Sequence, residues 1–298
     1  MPPQTAPSLL AALIGQGIGP SLTPPLHELE GQRHGLRCIY RRIEFHAEQD
    51  SPADLARLLD FAQRSGFDGL NITYPAKQTV LPLLDESAPS AQMIGAVNTV
   101  VFDGERTVGH NTDVTGFRAS LDDALGTADC GRVVLVGAGG AGSAVAHALV
   151  MRGVESLTVV DVDAGRAATV CRSLKESHGF SAASAHPDDL PGLSAATEGI
   201  VNATPFGMDH HPGAPFRTDL ITADHWVADV VYRPVDTVLL QDARNAGALT
   251  IPGTGMAMHQ AADAFEIFTG RTADRSAMLA DLNALIAAER EAQHAPQP

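Results

Sequence analysis

The chain has 298 residues, enough for two domains with sizeable cores, and its composition, 44% hydrophobic and 18% charged, is that of a globular protein. Its 20 basic and 35 acidic residues give a net charge of −15, which argues against nucleic acids and anionic membranes as partners but not against a small anionic substrate. Three widely spaced cysteines argue against a disulfide framework or zinc site, and with no Lys or Arg before Arg33 and no apolar run of membrane-spanning length we expect a cytoplasmic protein.

The first element is an apolar run, Leu9 to Gly15, which predicts a buried strand, and a loop follows over Gln16 to Pro20. Two hydroxyls come next, on Ser21 and Thr23, directly before a helix that we predict over residues 25–30. On local grounds alone, a Ser or Thr before proline is typical of a helix N-cap.

The following segment alternates strands and helices. Residues 37–45 predict a strand, and Ser51 caps a helix that ends at Gly66. Short strands are predicted at 70–73 and 97–102, so this part of the chain forms an α/β domain of its own. Polar residues fall at the strand ends or in the loops after them, where ligands bind in open α/β sheets: Asn71, Thr73, Lys77, Asn98, Thr112 and Asp113.

The middle of the chain carries a dinucleotide-binding pattern. The β-branched run Val133–Val136 predicts a strand buried on both faces, the glycines of 137–142 fit GxGxxG, and residues 143–152 predict an Ala-rich helix. A second apolar run, 157–160, then leads to an acid, Asp161. Strand, glycines, helix, strand and acid follow one another in the order of a Rossmann unit.

Each part of this pattern has a physical role. Gly137 permits the tight turn, Gly139 lets the backbone approach a pyrophosphate, and Gly142 lets the helix pack close to the strand. The pyrophosphate would bind at the helix N-terminus, and Asp161 would accept hydrogen bonds from the ribose of the adenosine half. Because a carboxylate there repels the 2′-phosphate of NADP, the sequence predicts NAD as the cofactor, although Arg166 lies nearby.

The rest of the chain continues the alternation of an α/β fold. Helices are predicted over 164–175, 235–246, 256–268 and 275–291, and strands over 199–202, 227–231 and 249–251. The tail at 294–298 is expected to fray.

Seven motifs together resemble the shikimate dehydrogenase family. They are SLTP at 21–24, NITYPAK at 71–77, GAVNTV at 95–100, GHNTD at 109–113, NATPFGM at 202–208, DVVYRP at 229–234 and GTGMAMHQAADAFEIFTG at 253–270. The resemblance implies two α/β domains with a cleft between them. They are an N-terminal substrate domain at 1–113 and a Rossmann-type NAD-binding domain at 114–252, with C-terminal helices at 253–298 that return to the first domain.

By this resemblance, Lys77 and Asp113 are the catalytic pair. A dehydrogenase needs a group that takes the hydroxyl proton as hydride leaves the same carbon; Lys77 would take it and Asp113 would orient the lysine. Without the motifs, the sequence is at least as consistent with Lys77 being a solvated surface lysine and with Asp113 being a helix N-cap. The substrate residues implied are Ser21, Thr23 and Tyr232 at the carboxylate, and Asn71, Thr73, Asn98 and Gln260 at the ring hydroxyls.

The resemblance also implies the cofactor contacts, and the spacing of the histidines predicts no metal site. The cofactor residues are Gly137, Ala138, Gly139, Gly140 and Ala141 in the glycine loop, Asp161 and Arg166 at the ribose, and Thr204, Pro205, Met208, Val231 and Gly253 on the nicotinamide side. Adjacent His210 and His211 lie in a Gly/Pro-rich loop without ligand-like spacing, and His259 is expected to be a structural histidine.

Two departures from the shikimate-specific members bear on the substrate. Many of those members carry a second serine where Thr23 stands and an Asn-Arg pair where Asp161 and its neighbour stand. Both changes resemble the NAD-dependent quinate/shikimate dehydrogenase branch, so we expect reversible oxidation of the C3 hydroxyl of quinate and shikimate, by a monomer or homodimer. A shikimate-only or aminoshikimate dehydrogenase stays open, as does an NAD-sensing regulator without turnover, against which the intact Lys77 and Asp113 argue.

Overall fold

The protein divides into two compact units in the computed structural model, which describes residues 7–45 and 51–294. Unit 1 comprises Met1–Thr112 and Gln260–Leu285, and unit 2 comprises Asp113–His259 and Ile286–Pro298. Each unit contains one six-stranded sheet. Within the described ranges, no helix combines the length and the apolar character needed to cross a membrane.

Unit 1 is built on a mixed sheet. In chain order its elements are β1 (Ser8–Gly15), α1 (Thr23–Arg33), β2 (Arg37–Glu44), α2 (Pro52–Arg64), β3 (Gly69–Ile72), β4 (Glu86–Ser87), α3 (Pro89–Ile94), β5 (Thr99–Asp103) and β6 (Arg106–His110). The strand order is β2-β1-β3-β5-β6-β4. Strand β1 pairs in parallel with β2 and β3, whereas β5 runs antiparallel to β3 and β6.

The core of unit 1 forms where α2 packs on the sheet. Ser51 caps this helix as predicted, because its side chain accepts a hydrogen bond from the N–H of Asp54 at 3.1 Å. The apolar stripe of the helix is buried in one cluster with residues of β1 and β3: Leu55, Leu59 and Ala62 with Ala12, Ile14, Leu70 and Ile72.

Unit 2 is a doubly wound parallel sheet. The helices and strands of this half are α4 (Thr112–Leu125), β7 (Arg132–Val136), α5 (Gly140–Arg152), β8 (Ser156–Val160), α6 (Ala164–His178), β9 (Ala183–Ala185), α7 (Leu190–Ser194), β10 (Gly199–Asn202), β11 (Trp226–Asp229), α8 (Val238–Asn245) and β12 (Leu249–Ile251). The final helices, α9 (Gly253–Thr269) and α10 (Arg275–His294), contribute residues to both units.

The strand order of this second sheet is β12-β11-β10-β7-β8-β9, and all its pairings are parallel. Counted from β7, the chain runs outward through β8 and β9, then returns to β10 and runs outward to the opposite edge. This is the Rossmann order, and its switch point between β7 and β10 is where such sheets bind dinucleotides. The predicted fold class, α/β with a Rossmann-type domain, is therefore confirmed.

The predicted elements are present with shifted ends. Helix α1 begins at Thr23 instead of residue 25, and α5 and α9 begin at Gly140 and Gly253, three residues before their predicted starts. Strand β11 ends at Asp229, before Val231. Short elements such as β4, α3 and β9 were not predicted, because two to six residues carry too little periodicity to be recognised. Of the tail expected to fray, His294 ends α10, and 295–298 lie outside the described residues.

Candidate active site

The glycine loop after β7 leaves the N-terminus of α5 accessible to an anion. Gly137 has φ of 104°, and a Cβ there would lie 2.8 Å from the backbone of Ala203, so only glycine makes this turn. A Cβ on Gly142 would lie 1.9 Å from the carbonyl oxygen of Gly137, so glycine also allows the helix to pack against the loop. By contrast, a Cβ on Gly139 or Gly140 would meet nothing within 4 Å of the described chain.

No side chain among the described residues caps α5, whose N-cap is Gly139. The first N–H groups of a helix have no partner within the helix, so the loop presents backbone donors toward open space. This geometry fits the pyrophosphate of a dinucleotide.

Asp161 is held on this loop by backbone hydrogen bonds. Its side chain is buried at the end of β8, where one carboxylate oxygen accepts from the N–H of Ala138 at 2.7 Å and the other from the N–H of Asp163 at 2.8 Å. A carboxylate has about four lone-pair positions, so each oxygen keeps capacity for a further donor such as a ribose hydroxyl. The acid is thus fixed in place before a ligand arrives.

Arg166, five residues after this acid in the chain, already has a carboxylate partner. Asp163 caps α6 by accepting from the N–H groups of Gly165 and Arg166, at 2.8 and 3.2 Å, and its other oxygen lies 3.2 Å from Nε of Arg166. These hydrogen bonds, first those from Arg166, hold the pKa of Asp163 below its usual range. The end of β8 therefore presents two carboxylates and one paired guanidinium.

Two loops on the other side of the switch point are joined by a buried amide and carboxylate. Asn202 and Asp229 end the adjacent strands β10 and β11, and Nδ2 of Asn202 donates to Asp229 at 2.9 Å. The amide oxygen of Asn202 accepts from both the N–H and the hydroxyl of Thr204, at 2.9 and 2.7 Å. Asp229 accepts from the N–H of Val231 at 3.0 Å and from the Thr237 hydroxyl at 2.8 Å, and its burial raises its pKa to about 6.

The other predicted residues on the nicotinamide side belong to the same two loops or start the next helix. The N–H of Met208 donates to the carbonyl of Pro205 at 3.2 Å, which closes the turn after Thr204. Gly253 begins α9, and a Cβ there would lie 2.6 Å from the carbonyl oxygens of Val230 and Val231. Glycine at 253 therefore lets α9 start against this loop.

In unit 1, the two hydroxyls of SLTP bond to each other and do not cap α1. The N-cap is Leu22, without a side-chain hydrogen bond, and Thr23 is already inside the helix. The hydroxyl of Ser21 donates to that of Thr23 at 3.2 Å and accepts from the N–H of Thr23 at 3.2 Å. The N-cap interpretation is therefore wrong, because the helix begins before the proline that was expected to open it.

A buried polar network joins three of the predicted substrate residues. Asn71 on β3 donates to the carbonyl of Asn98 at 3.2 Å. Nδ2 of Asn98 donates to the hydroxyl of Thr112 at 2.9 Å, and that hydroxyl donates to the carbonyl of Gln260 at 3.0 Å. Asn71, Asn98 and Thr112 are each at most 5% exposed. Such a network orders the polar groups that it contains.

The remaining predicted residues occupy strand ends and helix starts. Thr73 and Lys77 follow β3 and are half-buried, and the carbonyl of Lys77 accepts from the N–H of Val97 at 2.8 Å. Asp113 is buried in the first turn of α4, where the helix dipole favours an acid. Tyr232 is half-buried after β11.

The histidines take no part in a metal cluster within residues 7–45 and 51–294, where no group of three or more His, Cys, Asp or Glu side chains could hold an ion. His259 is buried, and its Nε2 lies 2.8 Å from the carboxylate of Asp123. The hydrogen bond expected of a structural histidine is therefore present.

Comparison with known proteins identifies the family. Residues 13–100 match the shikimate dehydrogenase substrate binding domain and residues 253–282 the shikimate 5′-dehydrogenase C-terminal domain. A shikimate dehydrogenase (NADP(+)) of Streptomyces avermitilis is 52% identical over 279 residues, which cover 93% of this chain and 96% of that protein. The chain belongs to the shikimate dehydrogenase family.

Other relatives in the family carry a different cofactor in their names. A quinate/shikimate dehydrogenase (NAD(+)) of Corynebacterium efficiens is 50% identical over 278 residues, which cover 92% of this chain and 97% of that protein. The quinate dehydrogenase of Corynebacterium glutamicum in complex with NAD superposes with a TM-score of 0.88 at 47% identity, covering 93% of this chain and 99% of that chain. The family predicted from the motifs is confirmed, and relatives of similar identity are named for either cofactor.

Two residues that hold the loops of the predicted nicotinamide side, Asn202 and Asp229, were not identified from the sequence. Asn202 and Asp229 were placed on or next to predicted strands without a role, although both are polar residues at the carboxyl ends of apolar strands. That position is the signal that could have found them, because in a parallel sheet it is where ligand-binding loops begin.

Proposed function

We propose that this protein is an NAD-dependent quinate/shikimate dehydrogenase. It would oxidise the C3 hydroxyl of quinate to 3-dehydroquinate and that of shikimate to 3-dehydroshikimate, reversibly. Its relatives are named shikimate dehydrogenase and quinate/shikimate dehydrogenase, and such enzymes are oxidoreductases that act on CH–OH groups. The observation that carries the choice of cofactor is the carboxylate of Asp161, fixed on the glycine loop.

The cofactor assignment follows from charge at the end of β8. Asp161 would accept hydrogen bonds from the ribose diol of NAD, and a 2′-phosphate would meet two carboxylates there. Arg166, which could serve a phosphate, is bonded to Asp163. The open face of Gly139 and Gly140 and the uncapped start of α5 fit the pyrophosphate. Residues 114–252 are assigned to cofactor binding.

The chemical step is assigned to Lys77 and Asp113. When bound, the nicotinamide accepts the hydride from the carbon that carries the reacting hydroxyl. The proton of that hydroxyl passes to Nζ of Lys77, and the carboxylate of Asp113 orients the ammonium that results. In the reverse direction Lys77 returns the proton to the oxygen.

Residues 1–113, with Gln260 from the C-terminal part, are assigned to the acid. Ser21 and Thr23 present adjacent hydroxyls that can donate to a carboxylate, and Tyr232 is assigned to the same group. Asn71, Thr73, Asn98 and Gln260 are assigned to the ring hydroxyls. The choice of quinate together with shikimate rests on the resemblance of Thr23 to the quinate/shikimate dehydrogenase branch, where many shikimate-specific members carry a serine.

A second candidate is a shikimate dehydrogenase that uses NADP, and the relative of that name at 52% identity favours it. Initial rates with quinate and with shikimate, each with NAD and with NADP, separate the two. We expect turnover of both acids with a higher kcat/KM for NAD. A higher kcat/KM with NADP for both acids would contradict the cofactor assignment, and absence of quinate turnover at any pH would contradict the substrate. Turnover of neither acid would favour a regulator that senses NAD.

A further inference from the structure

A tyrosine outside the motifs donates a hydrogen bond directly to one of the residues assigned to the acid substrate. Tyr40 lies on β2, and its hydroxyl donates to the amide oxygen of Asn71 on β3 at 2.5 Å. On the other side of this amide, Nδ2 of Asn71 donates to the hydroxyl of Thr99 at 3.0 Å and to the carbonyl of Asn98 at 3.2 Å. All four residues are at most 5% exposed.

The orientation of the Asn71 amide is dictated by its neighbours. The backbone carbonyl of Asn98 can only accept, so the amide must turn its NH₂ group toward it. The amide oxygen then faces Tyr40, whose hydroxyl must donate. Thr99 fits the same arrangement, because its hydroxyl accepts a hydrogen bond from Asn71 and donates one to Oδ1 of Asn98 at 3.0 Å.

This orientation determines what Asn71 can offer to a ligand. Both N–H groups of its amide are used within the protein, by Thr99 and Asn98. Its oxygen has two lone pairs, of which Tyr40 uses one. Asn71 therefore retains one acceptor and no donor, which matches a hydroxyl that donates and does not match a carboxylate or a ketone.

We propose that Tyr40 is a positioning residue for acid recognition, and that with Thr99 it holds Asn71 so that the amide oxygen accepts a hydrogen bond from a ring hydroxyl of the substrate. This inference rests on the proposed function, since it takes the ligand to be a polyol carboxylate. Burial raises the pKa of Tyr40 well above its ordinary value, so its hydroxyl keeps the proton that it donates.

Tyr40→Phe and Thr99→Val test this proposal, because each removes one hydroxyl and keeps the packing. We expect each to raise KM for shikimate about tenfold, the factor that corresponds to one lost hydrogen bond of ~1.4 kcal/mol. The dissociation constant of NAD, measured by calorimetry, should stay unchanged. In an Asn71→Ala background, Tyr40→Phe should add less than twofold, since the group that it positions is gone.

Thr107→Val is the matched control. Thr107 lies on β6 of the same sheet, and its buried hydroxyl donates to the carboxylate of Asp85 at 2.8 Å and accepts from the Asp85 N–H at 2.9 Å. Its loss should lower the stability of unit 1 to urea without changing KM. If Thr107→Val raised KM as much as Thr99→Val does, the effect would be one of general destabilisation and the proposal would be overturned.

Substrate analogues test the direction of the hydrogen bond. Replacing each ring hydroxyl of shikimate in turn by fluorine keeps a weak acceptor and removes the donor. At one position the fluoro analogue should bind the wild type at least tenfold more weakly than shikimate, and this loss should shrink to less than threefold in Asn71→Ala. The inference is overturned if every fluoro analogue binds like shikimate, or if Tyr40→Phe and Thr99→Val keep the wild-type KM. Failure of the wild type to turn over either acid is a separate result, which overturns the proposed function and this inference together.

Discussion

His27 provides a test of the packing in unit 1. Its side chain is fully buried on α1, with its ring centroid 4.8 Å from that of Tyr40 and 6.3 Å from that of Phe265. Within residues 7–45 and 51–294, neither ring nitrogen has a hydrogen-bond partner. Burial therefore lowers the pKa of His27 from 6.5 to about 3.

The sign of the resulting pH dependence follows from proton binding. The unfolded chain takes up a proton on this histidine near pH 6.5, whereas the folded protein does so only near pH 3. Between these values the unfolded state binds more protons, so the free energy of unfolding falls as the pH falls, by ~1.4 kcal/mol per pH unit. At pH 5 the loss attributable to His27 is about 2 kcal/mol.

We expect His27→Phe to remove this loss. Urea unfolding of the variant and the wild type between pH 7.5 and 5 should show their difference in free energy of unfolding changing by about 2 kcal/mol in favour of the variant. At pH 7.5 the difference in free energy of unfolding has two other sources: the variant no longer buries two unpartnered nitrogens, and it must accommodate a larger ring. Only the change of this difference with pH therefore tests the reasoning. His147, whose burial lowers its pKa to about 4, acts equally in both proteins and cancels.

His210→Phe is the control for exchanging a histidine for phenylalanine, because His210 is exposed in a loop of unit 2. If the His27→Phe difference did not vary with pH, the imidazole would have to be protonated or solvated within the fold. That result would refute the buried, neutral histidine.

Three further predictions concern the chemistry and the cofactor. Lys77→Ala should lower kcat by roughly 10²–10⁴, the usual range for a positioned acid–base group, with NAD affinity by calorimetry unchanged. Asp113→Asn should also lose kcat, and the double variant should be little worse than the worse single, because residues that act as a unit are not additive. A normal kcat with a raised KM would instead make Lys77 a binding residue. Asp161→Ala should raise KM for NAD at least about tenfold, or ~1.4 kcal/mol, and Asp161→Asn should lose less because it keeps an acceptor for the glycine loop. Unchanged NAD affinity in Asp161→Ala would remove the acid from the ribose site. Gly142→Ala, whose new Cβ would lie 1.9 Å from a backbone oxygen, should weaken NAD binding at least about tenfold by calorimetry. Gly192→Ala, whose Cβ would meet nothing within 4 Å, should leave it unchanged, and equal behaviour of the two variants would contradict the role given to Gly142.

The parts that could be predicted from sequence are those encoded by neighbouring residues. The β-branched run of β7, the glycines after it and the acid at 161 lie within one supersecondary unit, so spacing alone indicates their arrangement. The same holds for the cap of α2, because Ser51 and the N–H that it accepts from are three residues apart. Strand β9 was missed because its three small residues, Ala183 to Ala185, carry no apolar periodicity.

The parts that could not be predicted depend on contacts between distant segments. Asn202 and Asp229 are 27 residues apart, and their hydrogen bond requires knowing that β10 and β11 are neighbours in the sheet. The orientation of the Asn71 amide depends on the carbonyl of Asn98 and the hydroxyl of Tyr40, which only the fold brings together. Motif resemblance names Asn71 as a ligand-binding residue, but it does not say whether the side chain donates or accepts.

Under the proposed cofactor assignment, the two hydrogen bonds on Asp161 restrict the substitutions by which cofactor preference could change. A substitution that only removes the negative charge would also release the N–H of Ala138, and the glycine loop would loosen for either cofactor. Asparagine reduces this cost, because its uncharged amide oxygen can still accept from the N–H of Ala138, although its NH₂ group cannot accept from the N–H of Asp163. An Asp codon becomes an Asn codon by one base change. On a path from Asp161 and Val162 to an Asn-Arg pair, the loop would therefore be disturbed less by asparagine at 161 than by a residue without an acceptor.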